Sequence, residues 1–169
     1  DLVALASEVV SMARSAGGPE AGVKLAVTGS ARAVAMADGG QVRQVLWNLL
    51  RNAAHASRAG SDVELSVIDR DAHVEVAVMD RGPGVPQELR VKIFETFYTR
   101  TARGTGLGLA IVKRIADAHG ARVEIRDRDG GGSVFAFTIP KEPPPKETLP
   151  PPPARDSILD AIVPPTGVG

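Results

Sequence analysis

Val42-Arg43-Gln44-Val45-Leu46-Trp47-Asn48-Leu49-Leu50-Arg51-Asn52-Ala53 is the stretch from which the rest of the chain can be read. Its residues Val42, Val45, Leu46, Leu49, Leu50 and Ala53 recur at intervals of three and four, which gathers them on one face of an α-helix. The helix is expected from Gly40 to Ala59, with Gly60 ending it. After it, Val63, Leu65, Val67 and then Val74, Val76, Val78 alternate with other residues around the polar turn Asp69 to Asp71, so two antiparallel strands follow. Before it, residues 1–14 set Leu2, Leu5, Ala6, Val9, Val10 and Ala13 at helical spacing, and Gly17, Gly18 and Pro19 stop the pattern. Between the two helices, Val23, Leu25, Val27 and the run Ala31 to Ala37 read as a β-hairpin turning at Gly29 and Ser30.

Beyond Asp80 a loop rich in glycine and proline leads to one short helix expected within Pro86 to Phe94. A longer helix is expected from Gly106 to His119, with Leu107, Ala110, Ile111, Ile115 and Ala118 facing inward and Gly120 as its stop. Val123 and Ile125, then Phe135, Phe137 and Ile139, flank the turn Gly130 to Gly132 as a closing hairpin. Strands that arrive in pairs separated by helices predict an α+β fold, a two-layer α/β sandwich whose mixed, mostly antiparallel sheet carries its helices on one face.

Composition narrows the function. Lys and Arg number 20 against 20 Asp and Glu, a balance that argues against a nucleic-acid partner held by bulk charge. With no cysteine and three scattered histidines, neither a disulfide framework nor a thiolate zinc site is available, and a cytoplasmic setting is expected. No apolar run approaches a membrane span and the first residues show no signal segment, so no membrane contact is expected of this chain. Ten of the 13 prolines lie from Pro140 onward. The expected division is therefore a domain over 1–140 and a proline-rich flexible tail or linker over 141–169, whose one apolar patch is Ile158, Leu159, Ile162 and Val163.

Three groups of residues carry chemistry. Asn48 and Asn52, the only asparagines, form a polar ridge about 100° around the helix from its apolar stripe. Their carbonyl oxygens suit a hard cation such as magnesium, which takes few protein ligands, although solvent-facing or capping amides are the commoner use of such a pair. Asp80 ends a strand and enters Asp80-Arg81-Gly82-Pro83-Gly84-Val85-Pro86, where glycines beside a carboxylate allow close approach of a ligand amine; an ordinary turn has the same composition. Gly104-Thr105-Gly106-Leu107-Gly108-Leu109 opens into a helix, so its amides form a ready anion seat. It is neither a P-loop, since no Gly-Lys-Ser/Thr follows, nor a dinucleotide fingerprint.

Taken in order with Ile93-Phe94-Glu95-Thr96-Phe97-Tyr98 and Gly132-Ser133-Val134-Phe135-Ala136-Phe137-Thr138-Ile139-Pro140, these segments resemble the ATP-binding catalytic domain of sensor histidine kinases. That domain lies within the gyrase, heat-shock chaperone, histidine kinase and mismatch-repair ATPase superfamily, and the resemblance covers residues 1 to about 140. It implies a Bergerat-type ATP-binding fold, with ATP and Mg2+ as cofactors. It implies Asn52 as the magnesium ligand, Asn48 beside it in the phosphate region, and Asp80 as the adenine selector. Gly82, Gly84 and Val85 would pass the base; Gly104, Thr105, Gly106, Leu107, Gly108 and Leu109 would form the lid hinge and phosphate contacts, with Phe94 and Phe97 packing the lid base. Tyr98 and Thr138 complete the implied nucleotide-binding set. His55 stands where many relatives have lysine, and Arg100 could compensate through a bidentate phosphate contact.

Kinases of this kind phosphorylate a histidine followed by an acidic residue and then proline, and none of His55, His73 or His119 has that context. His119 reads as a helix C-terminal residue favoured by the dipole. The resemblance thus implies a catalytic half that donates the γ-phosphate to a histidine on a separate dimerisation hairpin of the same kinase, from which a response regulator receiver domain takes it. Two alternatives share the fold: an anti-sigma-type serine kinase and a self-contained ATPase clamp. The clamp enzymes carry glutamate where Asn48 stands, and an amide cannot deprotonate water.

Overall fold

The computed structural model describes residues 1–17, 22–98 and 106–142. Three helices, α1 (Leu2–Ser15), α2 (Gly39–Ala56) and α3 (Gly108–Ala118), accompany five strands, β1 (Lys24–Gly29), β2 (Asp62–Asp69), β3 (His73–Met79), β4 (Arg122–Asp127) and β5 (Ser133–Pro140). The strands form one sheet in the order β1-β2-β3-β5-β4, with β1 and β2 parallel and the other pairs antiparallel. Register sorts the side chains. One row runs Val27, Leu65, Val78, Phe135, Ile125 and the next Val67, Val76, Phe137, Val123, and these meet the apolar stripes of all three helices in a single core. The opposite face carries Glu64, Glu75, Glu124 and Arg126, with Arg126 paired to Glu75 at 3.1 Å.

Period-two alternation therefore located β2, β3, β4 and β5, but the expected hairpin between α1 and α2 does not form. β1 pairs with β2 from Lys24↔Asp62 to Gly29↔Val67, a parallel pairing that needs a crossover, which α2 supplies. Residues 31–37 form no strand. Their inward positions are alanines, poor strand formers, and the segment instead serves α1: Leu2 N–H donates to the carbonyl of buried Ala33 at 2.7 Å. The short helix expected within Pro86 to Phe94 is two 3-10 turns, Gln87–Leu89 and Lys92–Phe94.

Helix ends are set by caps and neighbours. Asp38 Oδ1 accepts from the Gly40 and Gln41 N–H groups at 2.8 and 3.0 Å, starting α2, and these bonds hold its carboxyl below the usual range. α2 stops at Ala56 rather than Ala59 because Ser57 turns extended and its hydroxyl accepts from Arg81 N–H at 3.3 Å. His119 caps α3 and also ties it to α2. Its Nδ1 donates to the Ile115 carbonyl at 2.9 Å while Nε2 accepts from Asp38 N–H at 3.1 Å.

Candidate functional site

The C-terminal ends of β3 and α2, the start of β5 and the N-terminus of α3 bound the site. Asp80 is its electrostatic centre. The residue is 1% exposed, and its Oδ1 accepts from Gly82 N–H at 2.7 Å and Ser133 N–H at 3.2 Å. Burial pushes the carboxyl above its ordinary value; the bonds from Gly82 and Ser133 and the nearby Arg128 charge oppose that rise. A carboxylate so held is an acceptor for a ligand's N–H donor.

The loop after Asp80 fits closely. A Cβ on Gly82 would lie 2.7 Å from the Ala56 carbonyl oxygen and 3.0 Å from Asp80 Oδ1, so the close approach expected at Gly82 is to α2. Gly84 has φ +81, and Val85 is half-buried against the core. Across the site, Gly132 has φ +109, and a Cβ there would lie 2.1 Å from the Asp80 carbonyl oxygen. Neither that backbone angle nor that approach admits a side chain.

At the other end, Asn48 and Asn52 lie one turn apart on α2, both half-buried. Asn48 points at the start of α3: a Cβ on Gly108 would sit 3.5 Å from its Oδ1. Its Nδ2 is buried without a hydrogen-bond partner, and the first turn of α3 has no side-chain cap. Buried donors without partners are rare in native proteins, and the same side chain meets, through its Oδ1, the start of a helix whose first turn has no side-chain cap, a place that favours an anionic oxygen. Leu107 is the cap residue of α3, and Leu109 packs on the core. His55, exposed on the last turn of α2, donates from Nδ1 to the Arg51 carbonyl at 2.7 Å.

Phe97 N–H donates to the Gly106 carbonyl at 3.1 Å. Phe97 adopts φ +68 with its side chain outward, 75% exposed, so the packing expected of it is made only by Phe94 and Tyr98, both half-buried on the core. Arg100, Gly104 and Thr105 lie outside the described residues. Thr138 is not brought to the site: it pairs with Glu75 and Arg122, five positions along β5 from Ser133 and on the sheet face away from the helices.

Sequence reasoning missed Ser133, Gly132, Arg81 and Arg128. The one signal for them was the run Gly130, Gly131, Gly132, all at positive φ, more than a hairpin turn alone requires.

The sequence profile of the histidine kinase-, DNA gyrase B-, and HSP90-like ATPases matches residues 37–143, which span the site from the cap of α2 to the end of β5. The chain belongs to this family. Its ATP-binding domain is similar to that of the sensor-like histidine kinase SenX3 of Mycolicibacterium smegmatis, 37% identical over 117 residues, 66% of this chain and 30% of that protein. It is also similar to the sensor protein KdpD of Clostridium acetobutylicum, 40% identical over 111 residues, 62% of this chain and 12% of that protein. The catalytic domain of the histidine kinase ThkA superposes with a TM-score of 0.75 at 33% identity, covering 85% of this chain and 96% of that one. The chain thus spans less than a third of either sensor protein, and no helix among its described residues is long and apolar enough to cross a membrane.

Proposed function

We propose that this domain binds Mg-ATP and donates the γ-phosphate to a histidine on a separate dimerisation hairpin of the same kinase, in the cytoplasm. A response regulator receiver domain would be the next acceptor; ThkA, in a complex with its response regulator TrrA, has a related fold at TM-score 0.72 and 30% identity. The observation that carries the reading is the pairing, in a member of this ATPase family, of a buried carboxylate at one end of the site with an unpartnered buried amide at a helix N-terminus at the other.

In this reading Asp80 accepts from the adenine amine, Gly84 and Val85 border the base, and Asn48 Nδ2 and the first N–H groups of α3 receive phosphate oxygens. Asn52, the magnesium ligand that the family resemblance implies, would hold that ion together with phosphate oxygens and water. When bound, that ion would neutralise phosphate charge. The protein's contribution is positioning and charge placement, since Asn48 cannot act as a base toward water.

With γ-labelled ATP, the isolated chain is expected to bind nucleotide, stay unlabelled and release phosphate slowly. Acid-labile, base-stable label should enter an added dimerisation hairpin only. Asn52→Ala should lose most of that transfer, about tenfold or more, and bind ATP less tightly with magnesium while magnesium-free binding changes little. Label on a serine of an added partner would favour the anti-sigma reading, and rapid phosphate release by the chain alone would favour the clamp.

A further inference from the structure

Two arginines cross between the Asp80 loop and the β4–β5 turn. Arg81, from the loop, donates through Nη1 to the Asp129 and Gly131 carbonyls at 2.6 and 3.1 Å. Arg128, from the turn, reaches back: its Nη1 donates to the Asp80 carbonyl at 3.2 Å and the Asp62 carbonyl at 3.4 Å, and its Nη2 lies 3.4 Å from Glu64 Oε2. The Arg128 side chain is only 12% exposed. Glu64 is itself fixed, accepting from the Thr28 hydroxyl at 2.6 Å. A guanidinium taken this far out of water is costly unless its donors are used, and here they join β2, the end of β3 and the turn.

We infer that Arg128 is a positioning residue for nucleotide binding: it holds Asp80 in its base-reading place by binding the Asp80 main chain, with Glu64 holding Arg128 from behind. This rests on the reading of Asp80 as the adenine contact. Tying β2 to β4 would explain the Asp62 and Glu64 contacts alone, but the Asp80 bond places the charge beside the site's own carboxylate. Arg128 is the charged group bearing on that carboxylate; Glu64 lies beyond it, and Arg81 turns its guanidinium to the turn carbonyls. The consequence is electrostatic as well as geometric, because a neighbouring cation favours the ionised acid.

The test is calorimetric titration with ATP and with inosine triphosphate, which lacks the 6-amino group, from about pH 5 to about pH 8. Thermal unfolding reports the fold of each variant. Arg128→Gln is expected to lower ATP affinity about tenfold at neutral pH, to change inosine triphosphate affinity little, and to move the acid-side loss of ATP binding to higher pH. Arg128→Lys should return that acid limb toward the wild-type position. Glu64→Gln, which removes the carboxylate charge paired with Arg128 while keeping an oxygen to accept from it, should move it to lower pH, and this variant answers the question if Arg128→Gln does not fold. Unchanged ATP affinity and pH profile in Arg128→Gln, equal loss of both nucleotides with an unmoved profile, or an unmoved limb in Glu64→Gln would overturn the inference. Asp80→Asn run in parallel separates the two levels: wild-type ATP affinity there overturns the adenine reading itself, whereas a loss there beside a silent Arg128→Gln overturns the positioning role alone.

Discussion

At the Asp80 end of the site the acid's main chain and one of its carboxylate oxygens are tied to protein: Oδ1 takes N–H groups from Gly82 and Ser133, the carbonyl takes Arg128, and the N–H goes to the Ser133 carbonyl at 2.9 Å. At the Asn48 end the amide Nδ2 is buried without a partner, while Oδ1 lies across an ordinary van der Waals gap from Gly108 at a helix start with no side-chain cap. The Asp80 end is finished before any ligand arrives, while the Asn48 end leaves a donor for a ligand to satisfy. Shape selectivity belongs at the first, where rigidity costs nothing on binding, and charge recognition at the second, where unpaired donors favour an anion.

The largest effect should come from forcing a methyl group into the finished end. Gly132→Ala meets both a left-handed backbone angle and a Cβ position 2.1 Å from the Asp80 carbonyl oxygen, so it is expected to cost about 3 kcal/mol or more of stability, read by denaturant unfolding. A well-folded Gly132→Ala with wild-type stability would show that the Asp80 end yields after all.

Asp80→Asn should separate binding from folding. Replacing a charge-assisted acceptor is expected to weaken ATP binding by about 1.5–3 kcal/mol, roughly ten- to a hundredfold. Stability should move the other way. Burial raises the folded-state carboxyl above its ordinary value, so the native state carries a buried charge whose cost is fully present above the folded value and disappears as pH falls through the unfolded one. Asn keeps an oxygen for Gly82 and Ser133, so the variant should be at least as stable as the wild type at neutral pH, with the margin shrinking on acidification; thermal midpoints across that range measure it. A variant less stable at neutral pH would mean that the carboxylate itself holds the loop.

The smallest effect is expected at the open end. Gly108→Ala adds a methyl at ordinary contact distance from Asn48 on a helix where alanine is favoured, so stability should be unchanged or raised by up to about 1 kcal/mol. ATP affinity should fall a few-fold as the methyl crowds the Asn48 amide, which titration would detect. A stability loss like that of Gly132→Ala would erase the distinction between the two ends.

The amphipathic period of α2 and the alternation of β2, β3 and β5 were legible because burying one face dictates residue types at fixed intervals, and that is a local property of the chain. The same regularity marked Asn48, Asn52 and Asp80 as candidates, since a polar ridge beside a core stripe and an acid at a strand end are visible in one dimension. Three things required the folded molecule. The parallel pairing of β1 with β2, in place of a hairpin, depends on a crossover whose partner lies beyond α2, and residues 31–37 carry no periodic mark of their use by α1. The early end of α2 depends on Arg81 and Gly82 arriving from the far end of β3. The clamp of Arg81 and Arg128 and the seat of Ser133 beside Asp80 join residues about fifty positions apart through backbone carbonyls and amides. Every residue type carries those groups, so no residue type announces the contact. Sequence therefore determined which faces are buried and which residues bear charge, while tertiary structure decided which of those charges meet.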